Sequence, residues 1–208
     1  MIRCKYLILF LFLGLNCFSQ NSKIKWGLYG KKSVEERRAT FPFSEAKKVV
    51  LVAFPSPYTV FEDEEDDMLK KDSVDIVDWG LNVVKTFKLP ERETKYIAIE
   101  MIELDQNQID SLSHILINYK LKNDKLPDNY EVYGVGCYQP RNAILFLDSN
   151  EIVISYIEIC FECIQFYQIP KETIPNFNKF SSLNESNNMI GMIKKVFNSN
   201  GIKYGIIK

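Results

Sequence analysis

The sequence predicts a single α+β domain with a mainly antiparallel sheet, a central C-terminal β-hairpin and two amphipathic helices. Three observations lead there. Two runs rich in β-branched and aromatic residues, Ala143 to Leu147 and Ile152 to Phe161, flank Asp148-Ser149-Asn150-Glu151, whose Asp, Ser and Asn favour a tight turn. Ile109, Leu112, Leu116 and Tyr119 recur at helical spacing, and so do Met189, Ile190, Ile193, Val196 and Phe197. Lys48 to Phe54, KVVLVAF, is an unbroken apolar run of the kind found in strands buried on both faces.

The first stretch to justify is one to set aside. Met1 to Ser19 has the three parts of a secretory signal: Arg3 and Lys5, an apolar run from Tyr6 to Leu15, and small residues at Cys17 and Ser19 before a cleavage point. The apolar run falls well short of the roughly 20 residues that a membrane-spanning helix needs. The alternative is a lipoprotein signal with Cys17 as the lipidated residue, although Asn16 stands where that signal wants a small side chain. Either way the chain is exported, to the periplasm or beyond, and the mature domain is Gln20 to Lys208 with no transmembrane segment.

Of 208 residues, about 190 then remain, the size of one ordinary domain. The formal net charge is −1, and losing Arg3 and Lys5 makes the mature chain more acidic. With no dense basic block, nucleic acid is not an expected partner, because phosphate binding rests on clustered Lys and Arg.

Asn21 to Thr40 scatters Lys and Arg among Trp26, Leu28 and Tyr29, and reads as an arm that is either solvated or adheres to an acidic surface. Pro55 and Pro57 end the apolar strand. Glu62 to Asp67 is a run of six acids without the Gly turn of a calcium loop, so it reads as a solvated loop. Val74 to Val84 and Tyr96 to Ile102 are further strands. Asp105 caps the first helix, Gln106 to Tyr119, with Gln108 three residues on as its capping-box partner. His114 falls on the polar face with Asp110 and Asn118, where it is expected to be solvated. Lys120 to Asn129 is a charged loop. Ser186 or Asn187 is expected to cap the final helix and Gly201 to stop it, with a short strand over Ile202 to Ile207.

The chain has five cysteines, of which Cys137, Cys160 and Cys163 lie outside the leader. A hairpin closing at Asp148 and Glu151 sets Arg141 against Glu158 and Cys137 against Glu162, in a register that turn length moves by about one residue. Cys137 then lies near both other cysteines. The cluster reads as a structural disulfide, as buried thiols, or as a metal or thiol-redox site. A closed zinc site wants four ligands, and the carboxylate of Glu162 between two thiols disfavours a thiolate, which weighs against the last reading. Arg141 and Glu158 form a candidate polar pair across the ribbon.

The segments Cys137-Tyr138-Gln139-Pro140-Arg141-Asn142 and Glu158-Ile159-Cys160-Phe161-Glu162-Cys163 resemble those of a family of uncharacterised exported Bacteroidetes proteins. The leader's Cys-Phe-Ser-Gln ending is similar too. The resemblance covers the hairpin and, more loosely, the final helix. It implies export and marks the cysteine region, and it brings no reaction with it.

No hydrolase, phosphate-loop or dinucleotide signature is present, so neither a cofactor nor a catalytic residue is assigned. The functional expectation is a non-enzymatic exported module for binding or envelope structure. Its alternative is a thiol-redox or metal-binding protein using Cys137, Cys160 and Cys163. Intact mass of the exported protein tests the leader: the chain should begin at Gln20, and a diacylglyceryl group on Cys17 would refute this.

Overall fold

The computed structural model describes residues 26–55, 85–91, 95–122, 138–170, 174 and 183–206. In order these carry β1 (Trp26–Leu28), α1 (Val34–Arg38), β2 (Lys48–Ala53), β3 (Lys85–Lys88), β4 (Lys95–Ala98), β5 (Glu100–Glu103), α2 (Gln106–Asn118), β6 (Tyr119–Leu121), β7 (Asn142–Leu147), β8 (Val153–Cys160), β9 (Gln165–Ile169) and α3 (Leu183–Ser199). The fold is α+β, and its main sheet runs β5-β2-β7-β8-β9 with every neighbouring pair antiparallel. The strand expected at Val74 to Val84, the acidic run Glu62 to Asp67, most of the Lys120 to Asn129 loop, Cys137 and the leader lie outside the described residues.

The apolar run Lys48–Ala53 forms a strand at the heart of this sheet because its side chains have core on both faces. Val49, Leu51 and Ala53 join Ile144, Phe146 and Ile157 beneath α2 and α3. Val50 and Val52 join Leu145, Leu147 and Tyr156 on the opposite face, where the β3–β4 hairpin lies. There Phe54 meets Phe87 and Tyr96 edge to face, at ring-centroid distances of 5.8 and 5.3 Å. Among the described residues no helix is long and apolar enough to cross a membrane.

The helices follow their sequence signals closely. Asp105 and Gln108 make a reciprocal capping box, with Gln108 N–H donating to Asp105 Oδ1 at 2.8 Å and Asp105 N–H to Gln108 Oε1 at 2.7 Å. Leu112 and Leu116 turn inward to the sheet. At the end of α3, Gly201 adopts φ +90° and donates to Asn198 O, while Ile202 N–H reaches back to Phe197 O. These bonds satisfy two of the terminal carbonyls in a Schellman stop. The helix begins at Leu183, however, so Ser186 and Asn187 lie within it rather than capping it.

Three further expectations are corrected. The run Tyr96 to Ile102 is broken at Ile99, where the chain leaves its pairing with β3 and crosses to the edge of the main sheet as β5, beside β2. The residues after Gly201 form turns, not a strand, over 204–206. The segment after Asn21 is not a solvated arm where described: Trp26–Leu28 pairs with Tyr119–Leu121, and α1, started by a Ser33–Glu36 capping box, packs on α2.

That packing also corrects the polar face of α2. Buried Arg37 donates from Nε to Ser113 Oγ at 3.1 Å, from Nη1 to Lys32 O at 2.8 Å and from Nη2 to Asp110 O at 3.3 Å. Arg38 grips the Asp110 carboxylate with two bonds, 2.6 and 3.0 Å long. Asn118 is buried; its Oδ1 accepts from Lys32 N–H, which orients the amide so that Nδ2 donates to Lys32 O and to His114 Nδ1 at 3.0 Å. His114 is therefore half-buried rather than solvated, and Nδ1 serves as an acceptor.

Desolvation, reinforced by the charge on Arg37, holds the His114 imidazole below its ordinary value near 6.5. The unfolded chain thus takes up this proton first as pH falls, so stability that is full above pH 6.5 is lost as pH drops towards the lower folded value. In urea unfolding, the native chain should lose more stability than His114→Gln between about pH 7.5 and about pH 5.5. Equal losses would show that the imidazole is not held neutral.

Candidate functional site

The hairpin closes one residue later than Asp148-Glu151. Asp148 N–H donates to Ile152 O, Asp148 Oδ1 accepts from the N–H groups of Asn150 and Ile152, and Glu151 takes φ +60°. This is a three-residue loop whose last residue is left-handed. A bulge then follows, since Leu147 pairs with Val153 but Phe146 with Ser155. Each irregularity adds one residue to the β8 side, and Glu158 comes to face Ala143 instead of Arg141.

A slip of two residues keeps every side chain on its own face and changes only its neighbours. Arg141 lies just before β7, outside the paired register that begins at Asn142↔Ile159. Arg141 Nη1 lies 3.9 Å from Glu162 Oε2, in the turn after β8, so this carboxylate and not Glu158 is its ion-pair partner. Glu158 is fully buried, between Ala143 on one side and Tyr167 on the other.

Cys160 ends β8, and Cys163 lies in the turn that leads to β9; they are 2% and 6% exposed. Neither is in a disulfide, which corrects that expectation for these two positions. Cys163 N–H instead donates to Cys160 Sγ at 3.2 Å. Among the described residues no group of three or more His, Cys, Asp and Glu could hold a metal ion.

The C-terminal tail holds this end of the sheet in place. Glu100 Oε2 accepts from Lys203 N–H at 2.7 Å and from Tyr204 N–H at 3.0 Å, and buried Asn142 donates from Nδ2 to Tyr204 O at 3.0 Å. Gly205, at φ +70°, passes so close that a Cβ there would stand 2.6 Å from Asn142 Oδ1 and 2.7 Å from Arg141 Cβ. Only glycine meets both demands.

A second feature lies at the opposite end of β7. Between the sheet and β3, which contributes Phe87 and Lys88, lies an open cleft of about 510 Å³. Its floor is apolar, from Val50, Met101, Leu145 and Leu147, and Ile152 stands over it 61% exposed. Its rim carries Lys48, Lys88, Glu103 and Glu151. Lys48 Nζ bridges Glu151 Oε1 at 2.9 Å and Glu103 Oε2 at 3.5 Å. The hydrogen bond that Lys48 donates to Glu151, with the charge of Glu103, raises the Lys48 ammonium above its ordinary value and keeps it charged.

None of these rim and floor residues carries a functional signal in the sequence. Lys48 and Glu151 each sit in an element that the sequence does predict, yet they meet only because β2 pairs with β7 across nearly a hundred residues. The mixture of a charged residue at the mouth of an apolar strand and another in a turn carries no local signal for such a cleft. Neither Cys160 nor Cys163 lines it.

Substituting Gly205→Ala should destabilise the domain by about 1–3 kcal/mol, from the positive φ and the clash with Asn142 together. Chemical unfolding that showed no loss would mean that the tail does not dock on β7 as described. No family model, no curated protein and no solved structure matches the chain, so its functional reading rests on the cleft and on the turn after β8.

Proposed function

We propose that the chain is an exported, non-enzymatic binding module that seats a small, largely apolar ligand in the cleft above Val50, Met101 and Leu145. The observation that carries this reading is the cleft itself, about 510 Å³ of open space with an apolar floor and a charged rim. Ligand sites in proteins have this size and this distribution of polarity. The apolar area that a ligand would cover comes from Ile152, which is exposed, and from half-buried Met101.

The lining argues for holding rather than transforming. Among the described residues it includes no Ser, Thr, Cys, His or Tyr, and its Lys48, Glu103 and Glu151 are engaged with one another. Nucleophilic catalysis wants a nucleophile and a base in mutual reach, and proton transfer wants a group poised to titrate. The leader and the paired cysteine motifs support export as the setting.

The test is a fluorescence titration with the neutral apolar probe N-phenyl-1-naphthylamine. The native chain should bind it saturably, and Met101→Lys should weaken binding by about tenfold or more, because the probe would then have to desolvate a charge. Leu28→Lys, on an exposed strand elsewhere, should bind as the native chain does. Absence of saturable binding, or a Met101→Lys variant that is folded and binds normally, would overturn the reading.

A further inference from the structure

On the helical side of the main sheet, β1 lies against α2 and α3 and leaves a pocket of about 480 Å³. Trp26 and Tyr119 form its aromatic wall, their rings 11° from parallel with centroids 6.4 Å apart, an offset stack. The half-buried thioether of Met192 adds a soft, polarisable surface. Trp26 and Met192 pack on the core cluster beneath α2 and α3, whereas Val50, Leu145 and Leu147 of the cleft belong to the cluster on the other face of the sheet. The two openings are therefore separate.

Gly191, in the middle of α3, lines this pocket. Glycine inside a helix costs stability relative to alanine, so its presence wants a reason. Neither of the usual reasons applies: its backbone is not left-handed, and a Cβ built on it would meet nothing within 4 Å. What the missing side chain leaves is open space beside the aromatic wall. Lys195 follows one turn later on the same face of the helix, and because helical side chains lean back over the preceding turn, it borders that space. Among the described residues the lining brings a cation and no carboxylate.

We infer that this pocket binds a small aromatic anion of the arylcarboxylate or arylsulfonate class. The ring enters over Gly191 beside Trp26 and Tyr119, where another aromatic finds offset or edge-on partners. Lys195 receives the acidic group at the mouth in a charge-assisted hydrogen bond. The volume is that of small-ligand sites, and a wall of aromatic residues with one convergent charge is their usual make-up. The site is independent of the cleft and of any ligand held there.

The probe is 8-anilinonaphthalene-1-sulfonate, the sulfonated form of the neutral amine used for the cleft, so the pair isolates the charge. In a fluorescence titration the full native chain should bind the sulfonate saturably. Gly191→Leu fills the open space with a better helix former; it should be at least as stable in urea yet bind the sulfonate about tenfold or more weakly. Lys195→Gln should weaken the sulfonate by about threefold, an effect that added salt removes. The neutral amine should respond to neither substitution. Absence of saturable sulfonate binding, or native-like binding by folded Gly191→Leu, would overturn the site. A matching loss of the neutral amine, or no loss of the sulfonate with Lys195→Gln, would overturn the anionic class. If Gly191→Leu fails to fold, Lys195→Glu decides: it should lose most of the sulfonate binding, and unchanged binding would sink the proposal.

Discussion

The rest of the structure depends on the double-sided burial of β2 and β7. Their side chains, from Val49 to Ala53 and from Asn142 to Leu147, are almost entirely removed from water, and each large apolar one contributes about 1.5–3 kcal/mol when fully covered. Two covers are therefore required. On one face α2 and α3 meet the demand through Leu112, Leu116, Ile190, Ile193 and Phe197. On the other the β3–β4 hairpin has strands of four residues, about 13 Å long, against about 26 Å for the eight residues of β8. The cleft over Val50, Met101 and Leu145 is bordered by Phe87 and Lys88 of that hairpin.

The opposite end of the sheet is shaped by register. A three-residue loop and a bulge at Ile154 each lengthen the β8 side by one residue, and because strand side chains alternate with period two, their sum preserves faces while changing partners. Glu158 comes to face Ala143, and Arg141 forms its ion pair with Glu162 in the next turn. Gly205 and Asn142 then lock the start of β7 against the C-terminal tail. Arg141 and Glu162 are brought together in this way although no single local motif holds both.

Polar burial elsewhere is handled by pairing. Arg37 would be costly beneath α1 were its guanidinium not bonded to Ser113, Lys32 O and Asp110 O. The same interface turns Asn118 into a bracket between the backbone of Lys32 and His114. Charge patterning in the sequence describes this face as solvated because it sees only one helix at a time. The second helix that covers it is five residues long and carries no apolar stripe to announce its docking.

What the sequence by itself determined is local. The α+β class, the strand Lys48–Ala53, the capping box at Asp105 and Gln108, the Gly201 stop and the hairpin about Asp148 follow from periodicity, turn chemistry and capping, which act over a few residues. Only the tertiary structure decided what those elements touch. That β2 lies beside β7, that Lys48 meets Glu151, that Arg37 of α1 reaches Ser113 and that Arg141 meets Glu162 all depend on pairings between distant segments and on an irregular register. Side-chain identity sets the preference of each element, but a bulge of one residue or the length of a covering hairpin sets its neighbours, and the candidate sites are made of neighbours.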